Sequence, residues 1–443
     1  MATLRRSNNR SSTRGLRTRV QKTVLPNGLT IVSESQPGFQ SLALGVWVRA
    51  GTRHETSGEA GVSHFLEHML FKGTRTRSAL EIARQVDEVG GEFNAFTARE
   101  HTCFHLLLLA KDLSLGADLL ADVLLESEFD PEEFAREKKV ILQEIAMIDE
   151  SPEEWVHDLH MERIFPGQGL GKPILGTIGS IRSMSRETLL DYFHRHYRAS
   201  ELVVAVAGDV SHADVLRAFR KLGRKSYPGR VQRTSEARAW GAEKKPEFVP
   251  GRHWVRRPTE QVHLVWGVPA PDALSPARFA AFLLNTHLGG SMSSALFQKI
   301  RETHALAYTV YSSFSPYLGA GLLSVYAATR PSQVALCCRL IEEECERLGR
   351  RALGVRELAR IKDNLKGTLL LASDSVESRM MTLGRNELFF GREVPLDSLM
   401  QAIDQVTPSE FRQLAATLFQ EDRRALTLVG PRPDAAVLRK LGL

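Results

Sequence analysis

Apolar positions along the chain change period repeatedly, and each change marks an element. Residues 23–33 (TVLPNGLTIVS) read as two strands around a Pro26-Asn27-Gly28 turn. Residues 41–50 alternate again and predict a further strand. Val62, Phe65, Leu66, Met69 and Leu70 then fall at i, i+3, i+4, i+7 and i+8, the apolar stripe of a helix. More helices are predicted at 80–89, stopped by Gly90-Gly91, and at 112–125 and 131–148. Residues 92–109 are strand-like, and 202–207 read as a buried strand ending in Gly208-Asp209.

Residues 224–251 are rich in Arg, Lys, Glu, Gly and Pro with little periodicity, which predicts an interdomain linker. Beyond it the order of elements recurs. A strand is predicted at 261–268 and a helix at 278–288 ending in Gly289-Gly290. Strands follow at 308–315 and 321–328, helices at 332–348 and 355–372, and a closing strand at 425–429 before Gly430-Pro431. The recurrence reads as an internal duplication, with residues 151–209 resembling 373–431 in length and final strand. Four segments result: a basic tail at 1–22, a domain at 23–223, the linker, and a homologous domain at 252–443.

Charge changes the picture in one place. The net charge of +6 comes from the tail, which holds six Arg and one Lys and no acid. Setting those seven aside leaves 51 basic against 52 acidic residues, so charge gives no reason to expect a nucleic-acid partner. The Arg- and Ser-rich tail reads as a disordered extension, with a mitochondrial transit peptide as the alternative. No apolar run approaches the roughly 18 residues of a membrane span. Four cysteines are too few for a disulfide framework at this length, so reduced, mostly buried thiols in a bacterial cytoplasm or a mitochondrial matrix are expected.

The chemistry concentrates in His64-Phe65-Leu66-Glu67-His68. On a helix, side chains at i and i+4 share a face about 6 Å apart, so both imidazoles can reach one tetrahedral zinc at about 2.0–2.1 Å. Glu67 falls beside the same face as a candidate base. Its place before the second His, not after the first, is the inverted form of the zincin motif. The corresponding stretch of the second half, His287-Leu288-Gly289-Gly290-Ser291, lacks the second His and the Glu. Only the first half can hold metal in this way.

Two His ligands need a third protein group. The best candidates lie on the helix that Asp130 caps and Pro131 opens. Glu137 and Glu144 interrupt its apolar stripe of Phe134, Ile141, Ile145 and Ile148. A carboxylate on a buried face is costly unless paired or metal-bound. Seven residues separate the two, about 10.5 Å of helix rise. One should touch the metal and the other should orient a ligand, and helix geometry does not say which. His101, Cys103 and His105, the His157/His160 pair and the His194/His196 pair read as packing or surface residues.

Five segments in order carry a resemblance: LPNGLTIV, GVSHFLEHMLFKGT, GGEFNAFTAREHT, REKKVILQEIAMIDESPEEWVHD and FQKIRETHALAYTVYS. With these, the chain closely resembles the pitrilysin/insulysin family of zinc metallopeptidases, from about residue 23 to the C-terminus. It is most similar to the short-chain branch that includes mitochondrial processing peptidase subunits and their bacterial relatives. The resemblance implies an α+β fold of two homologous domains, each an antiparallel sheet backed by helices, arranged as a clam-like chamber. It implies His64, His68 and Glu144 as ligands of one Zn2+ per chain, Glu67 as general base, and Glu137 as the supporting carboxylate. Asn94 and Ala95 match the edge strand to which substrate backbone adds. Arg301 and Tyr308 match a pair from the second half that holds substrate carbonyls and the developing oxyanion.

The implied activity is a zinc endopeptidase acting on unfolded peptides. The alternatives are a presequence-processing peptidase working with a partner subunit, and a catalytically silent structural subunit. Because one chain carries both the zinc motif and the Arg/Tyr pair, a homodimer with two complete sites is expected, with a heterodimer of family members as the alternative.

Overall fold

The computed structural model describes residues 19–224, 245–432 and 434–443. Eleven strands form two sheets among these residues. The first sheet contains β1 (Arg19–Val24), β2 (Thr30–Ser35), β3 (Ser41–Val48), β4 (Glu92–Thr97), β5 (Thr102–Leu109) and β6 (Leu202–Gly208), in the order β1-β2-β6-β3-β5-β4. The second contains β7 (Gly251–Arg256), β8 (Val262–Pro269), β9 (Ala307–Tyr317), β10 (Ala320–Thr329) and β11 (Ala425–Gly430), in the order β7-β11-β8-β10-β9. Deleting β1 makes the two orders superimposable strand for strand. The duplication read from the sequence is therefore a duplication of topology.

Each sheet departs from a purely antiparallel one in a single pair. β2 runs parallel to β6, and β7 runs parallel to β11. The cause is topological. β6 inserts beside β3, antiparallel to it, and its other neighbour β2 runs opposite to β3. A strand placed between two opposed strands must lie parallel to one of them.

The inner face of each sheet is covered by helices of its own half. Val62, Phe65, Leu66, Met69 and Leu70 join Leu44, Val46, Phe104 and Leu106 in the first core. Leu283, Leu284, Cys337, Ile341 and Cys345 join Trp266, Leu323 and Leu428 in the second. All four cysteines are free and buried, and burial pushes their thiols up, so they behave as small apolar side chains.

The outer faces are covered differently. The helix Val376–Phe390, from the second half, lies on the first sheet. Its Val376, Met380, Leu383 and Leu388 pack on Val32, Ala43, Trp47, Val203 and Ala205. Gly384 permits this approach, because a Cβ there would meet Trp47 Nε1 at 2.1 Å. In return Pro152–Ile164, from the first half, lies on the second sheet, with Val156 and Leu159 against Val265, Tyr326 and Val429. Polar contacts lock both helices. Arg379 donates to both oxygens of the buried Glu34 at 2.7 and 2.6 Å. Lys22 donates to Glu387 at 2.5 Å. His160 Nδ1 lies 2.9 Å from Thr427 Oγ1. The runs 23–223 and 252–443 thus exchange one helix each.

Three element boundaries differ from expectation. The tail was expected to reach residue 22, but Arg19–Val24 is β1, paired antiparallel with β2. Its mixed polar sequence suits an edge strand with one exposed face. The linker was expected to span 224–251, yet Arg224 ends a helix and Gly251 begins β7. Residues 225–244, like the tail up to residue 18, lie outside the described residues. The strand-like run 92–109 is a hairpin, β4 and β5, turning at residues 98–101.

Candidate metal centre

The pentapeptide lies on the helix Val62–Leu70. Gly61 begins it at φ 89°, and a Cβ there would meet Leu175 O at 2.6 Å, so glycine is required on both counts. One carboxylate fixes the helix start. Buried Glu55 accepts from the backbone N–H groups of Gly61 at 2.9 Å and Ser63 at 3.0 Å. This supplies the N-terminal acceptor that Gly61 cannot. Burial pushes the Glu55 carboxyl up to about 7, against these two hydrogen bonds and the nearby Lys172.

The second helix, Pro131–Glu150, starts as the sequence predicts, with the Asp130 side chain accepting from Glu132 N and Glu133 N. Phe65 and Phe134 stack at 4.5 Å between centroids and join the two helices, a contact worth about 0.5–1.5 kcal/mol beyond its burial. This packing sets Glu137 and Glu144 against the histidines.

Glu144 Oε2 lies 3.9 Å from His64 Nε2 and 3.6 Å from His68 Nε2. Ligand atoms of these three residues, within 4.8 Å of one another, are the group among the described residues that could hold a metal ion. A tetrahedral ion with bonds of about 2.0–2.2 Å sets its ligands about 3.4 Å apart, close to both separations. Glu144 Oε2 is buried and has no hydrogen-bond partner, as is His64 Nδ1. A buried carboxylate oxygen facing two imidazole nitrogens fits a cation between them. Burial, with His68 alongside, pushes His64 down to about 3 and keeps its ring neutral. Two imidazoles and a carboxylate suit zinc.

Glu137 takes the other role that helix geometry left open. Its Oε2 lies 2.9 Å from His68 Nδ1, and its Oε1 accepts from Lys72 Nζ at 2.7 Å. A proton on Nδ1 directed at Glu137 leaves the His68 Nε2 lone pair facing Glu144. Glu67 stands beside the cluster. Thr97 Oγ1 donates to Glu67 Oε2 at 2.5 Å. Burial raises the Glu67 carboxyl, and the Thr97 hydrogen bond opposes the rise.

Asn94 and Ala95 lie on β4, the edge strand of the first sheet, and the Asn94 side chain accepts from Ala95 N at 2.8 Å. Arg301 and Tyr308 are brought together with each other. The Arg301 guanidinium lies 4.5 Å from the Tyr308 ring centroid and 4.7 Å from that of Phe297. Tyr308 is the second residue of β9, the edge strand of the second sheet, and is 78% exposed. Among the described residues, no hydrogen bond or ion pair joins this pair to His64, His68, Glu67 or Glu144.

The sequence reading missed Thr97, Lys72 and Glu55. All three fall in or near segments that carry the family resemblance, but their partners are set by packing between elements. The bland readings of the other histidines agree with the structure. His101 packs among Trp47, Phe96 and Phe389, His157 and His160 bond across to the second sheet, and His196 stacks on Tyr192.

A family model described as insulinase (peptidase family M16) matches residues 30–178, and one described as the peptidase M16 inactive domain matches residues 183–365. An uncharacterized zinc protease of Streptomyces coelicolor is 38% identical over 434 residues, covering 95% of this chain and 91% of its own length. The chain belongs to peptidase family M16. An uncharacterized zinc protease of Bacillus subtilis, also 38% identical, covers 93% of this chain and 98% of its own length. Among solved structures, a protease from Helicobacter pylori aligns with a TM-score of 0.86 at 20% identity, over 94% of this chain and all of that one. A protein from Pseudomonas fluorescens, described as a peptidase M16 inactive domain, gives a TM-score of 0.83 at 21% identity, over 93% of this chain and 98% of that one. The α+β fold with two homologous halves is thus that of the M16 peptidases, in keeping with a clam-like arrangement.

Proposed function

We propose that this M16 protein is a zinc endopeptidase that hydrolyses unfolded peptides, with His64, His68 and Glu144 as the ligands of one zinc per chain. The observation that supports this most is the buried, unpartnered Glu144 Oε2 facing the Nε2 atoms of both histidines. The names of the Streptomyces and Bacillus relatives, both zinc proteases, agree with it. Bound zinc would supply Lewis acidity to the scissile carbonyl and to the attacking water.

The chain's own residues do the rest. Glu67 takes a proton from the water and returns it to the leaving amine. Glu137, held by Lys72, orients His68. The free edge of β4, at Asn94 and Ala95, offers main-chain hydrogen bonds to an extended peptide. Tyr308 donates to the developing oxyanion and Arg301 holds substrate carbonyls, which requires the second half to close over the first. A single chain with both clusters would support a homodimer with two complete sites. No helix among the described residues is long and apolar enough to cross a membrane, and the bacterial relatives favour a bacterial setting.

The test is a digest of a mixed peptide library read by mass spectrometry, with metal analysis of the same protein. Wild type should carry about one zinc per chain and cut many peptides. Glu67→Gln should keep its zinc and lose about 10²–10⁴-fold in rate. Equal turnover by both would sink the mechanism. An inactive wild type restored by adding a second family member would favour the two-subunit processing peptidase, and one never restored would favour a silent structural subunit.

A further inference from the structure

The hydrogen bond between Thr97 and Glu67 crosses from the edge strand to the helix of the metal centre. We infer that Thr97 is the positioning residue of the general base. The inference rests on the peptidase reading above.

Strand alternation supplies the first part of the argument. Phe93, Ala95 and Thr97 share the inner face of β4. Phe93 and Ala95 pack on the first core, and Thr97 is left under the Val62–Leu70 helix. Phe96 points to the outer face, against Trp47. Thr97 is 9% exposed, and its hydroxyl has an ionisable acceptor at 2.5 Å. A hydroxyl has one proton to donate. Donated to Glu67 Oε2, it fixes that oxygen and leaves Oε1 to meet the water. A carboxylate held at one oxygen loses most of its freedom to rotate about its last bond, and misplacement of a base by about 1 Å can cost 10²-fold in rate.

The backbone supplies the second part. Thr97 is the last residue of β4, paired with Thr102 of β5. The turn beyond it is pinned, with Ala98 N donating to His101 O at 2.8 Å and Arg53 N donating to Arg99 O at 2.8 Å. Arg53 in turn donates to Glu100 Oε1 at 2.6 Å and to Leu318 O at 2.7 Å, in the second half. One end of β4 is therefore fixed, while its free edge is unpaired. A peptide added to that edge would lie along the strand that carries Thr97.

The test compares wild type, Thr97→Val and Thr97→Ser on an internally quenched peptide chosen from the library digest as the fastest cleaved. Valine keeps the shape and removes the donor. We expect kcat for Thr97→Val to fall about ten- to a hundredfold, with KM within about twofold, zinc content and thermal midpoint unchanged, and Thr97→Ser restoring most of the rate. Unchanged kcat in Thr97→Val would overturn the inference. So would a joint loss of rate and zinc, or a loss that serine does not restore, since each marks a purely structural role. If instead wild type shows no cleavage, or Glu67→Gln cleaves as well as wild type, the peptidase reading itself fails and the inference falls with it.

Discussion

The two halves share a strand order and solve the same local problem in opposite ways. In the first, the helix after β3 presents His64 and His68 to Glu144, whose Oε2 has no hydrogen-bond partner among the described residues. In the second, the helix after β8, Arg278–Gly289, presents His287 to Glu344, with Nε2 4.0 Å from Oε1. Here the buried carboxylate is satisfied from within, because Arg347 donates to Glu344 Oε1 at 2.6 Å. A guanidinium built into the next turn of the same helix provides the positive charge. The comparison teaches that what suits the first half to a metal is, among the described residues, the lack of a built-in cation at Glu144 as much as the presence of two histidines.

The strongest way to break the comparison is to separate the halves. Glu34 is buried and bonded to Arg379 of the exchanged helix. Arg379→Ala should lower unfolding free energy by about 3–5 kcal/mol, because it strands a buried charge. Urea titration measures this, and a change below about 1 kcal/mol would mean that the exchanged helix docks without the pair. Next in size is Tyr308→Phe, which asks whether the second half takes part in chemistry. Loss of one oxyanion donor should cost about 3 kcal/mol, or roughly a hundredfold in kcat, with stability unaffected at so exposed a site. Full activity would confine the chemistry to the first half.

Two further substitutions sharpen the contrast. Glu137→Gln should weaken zinc binding about 10–100-fold in competition with a chelator, through the orientation of His68. Unaltered affinity would show that Lys72 and Glu137 form an ordinary ion pair. The smallest effect is expected from His287→Ala. Zinc content and kcat should match wild type, with a stability change of about 1 kcal/mol. A loss of zinc would mean that the second half holds metal after all.

Much of the site was legible because it is local. The stripe from Val62 to Leu70 fixes which side of its helix faces the core, and all five of those residues are buried. Asp130 and Pro131 mark the next helix start at the right residue. Glu137 and Glu144 stood out as carboxylates on an apolar face, and helix geometry left their roles open. Only the approach of the two helices, through Phe65 and Phe134, sets one at Nδ1 of His68 and the other between the Nε2 atoms. Edge strands were harder to read. β1, with Lys22 on an exposed side, was split between tail and strand at residue 22, and β7, of which only Gly251 fell in the expected linker, was assigned no strand. Periodicity identified a buried face on many helices without saying which sheet would cover it, so the exchange of Pro152–Ile164 for Val376–Phe390 could not be foreseen. The same limit hid Thr97, whose partner lies thirty residues away on another element.

That exchange also governs how the molecule is made. During synthesis the strands of the first sheet are complete once Gly208 has emerged, but the helix that covers their outer face ends at Phe390. Until then Val32, Ala43, Trp47, Val203 and Ala205 have no cover from their native partner. The outer face of the first sheet gains its native cover only after most of the second half has been translated. A gene split between the halves would yield two fragments, each missing a helix that the other holds. Such fragments are expected to be insoluble apart and to rebuild the fold when coexpressed.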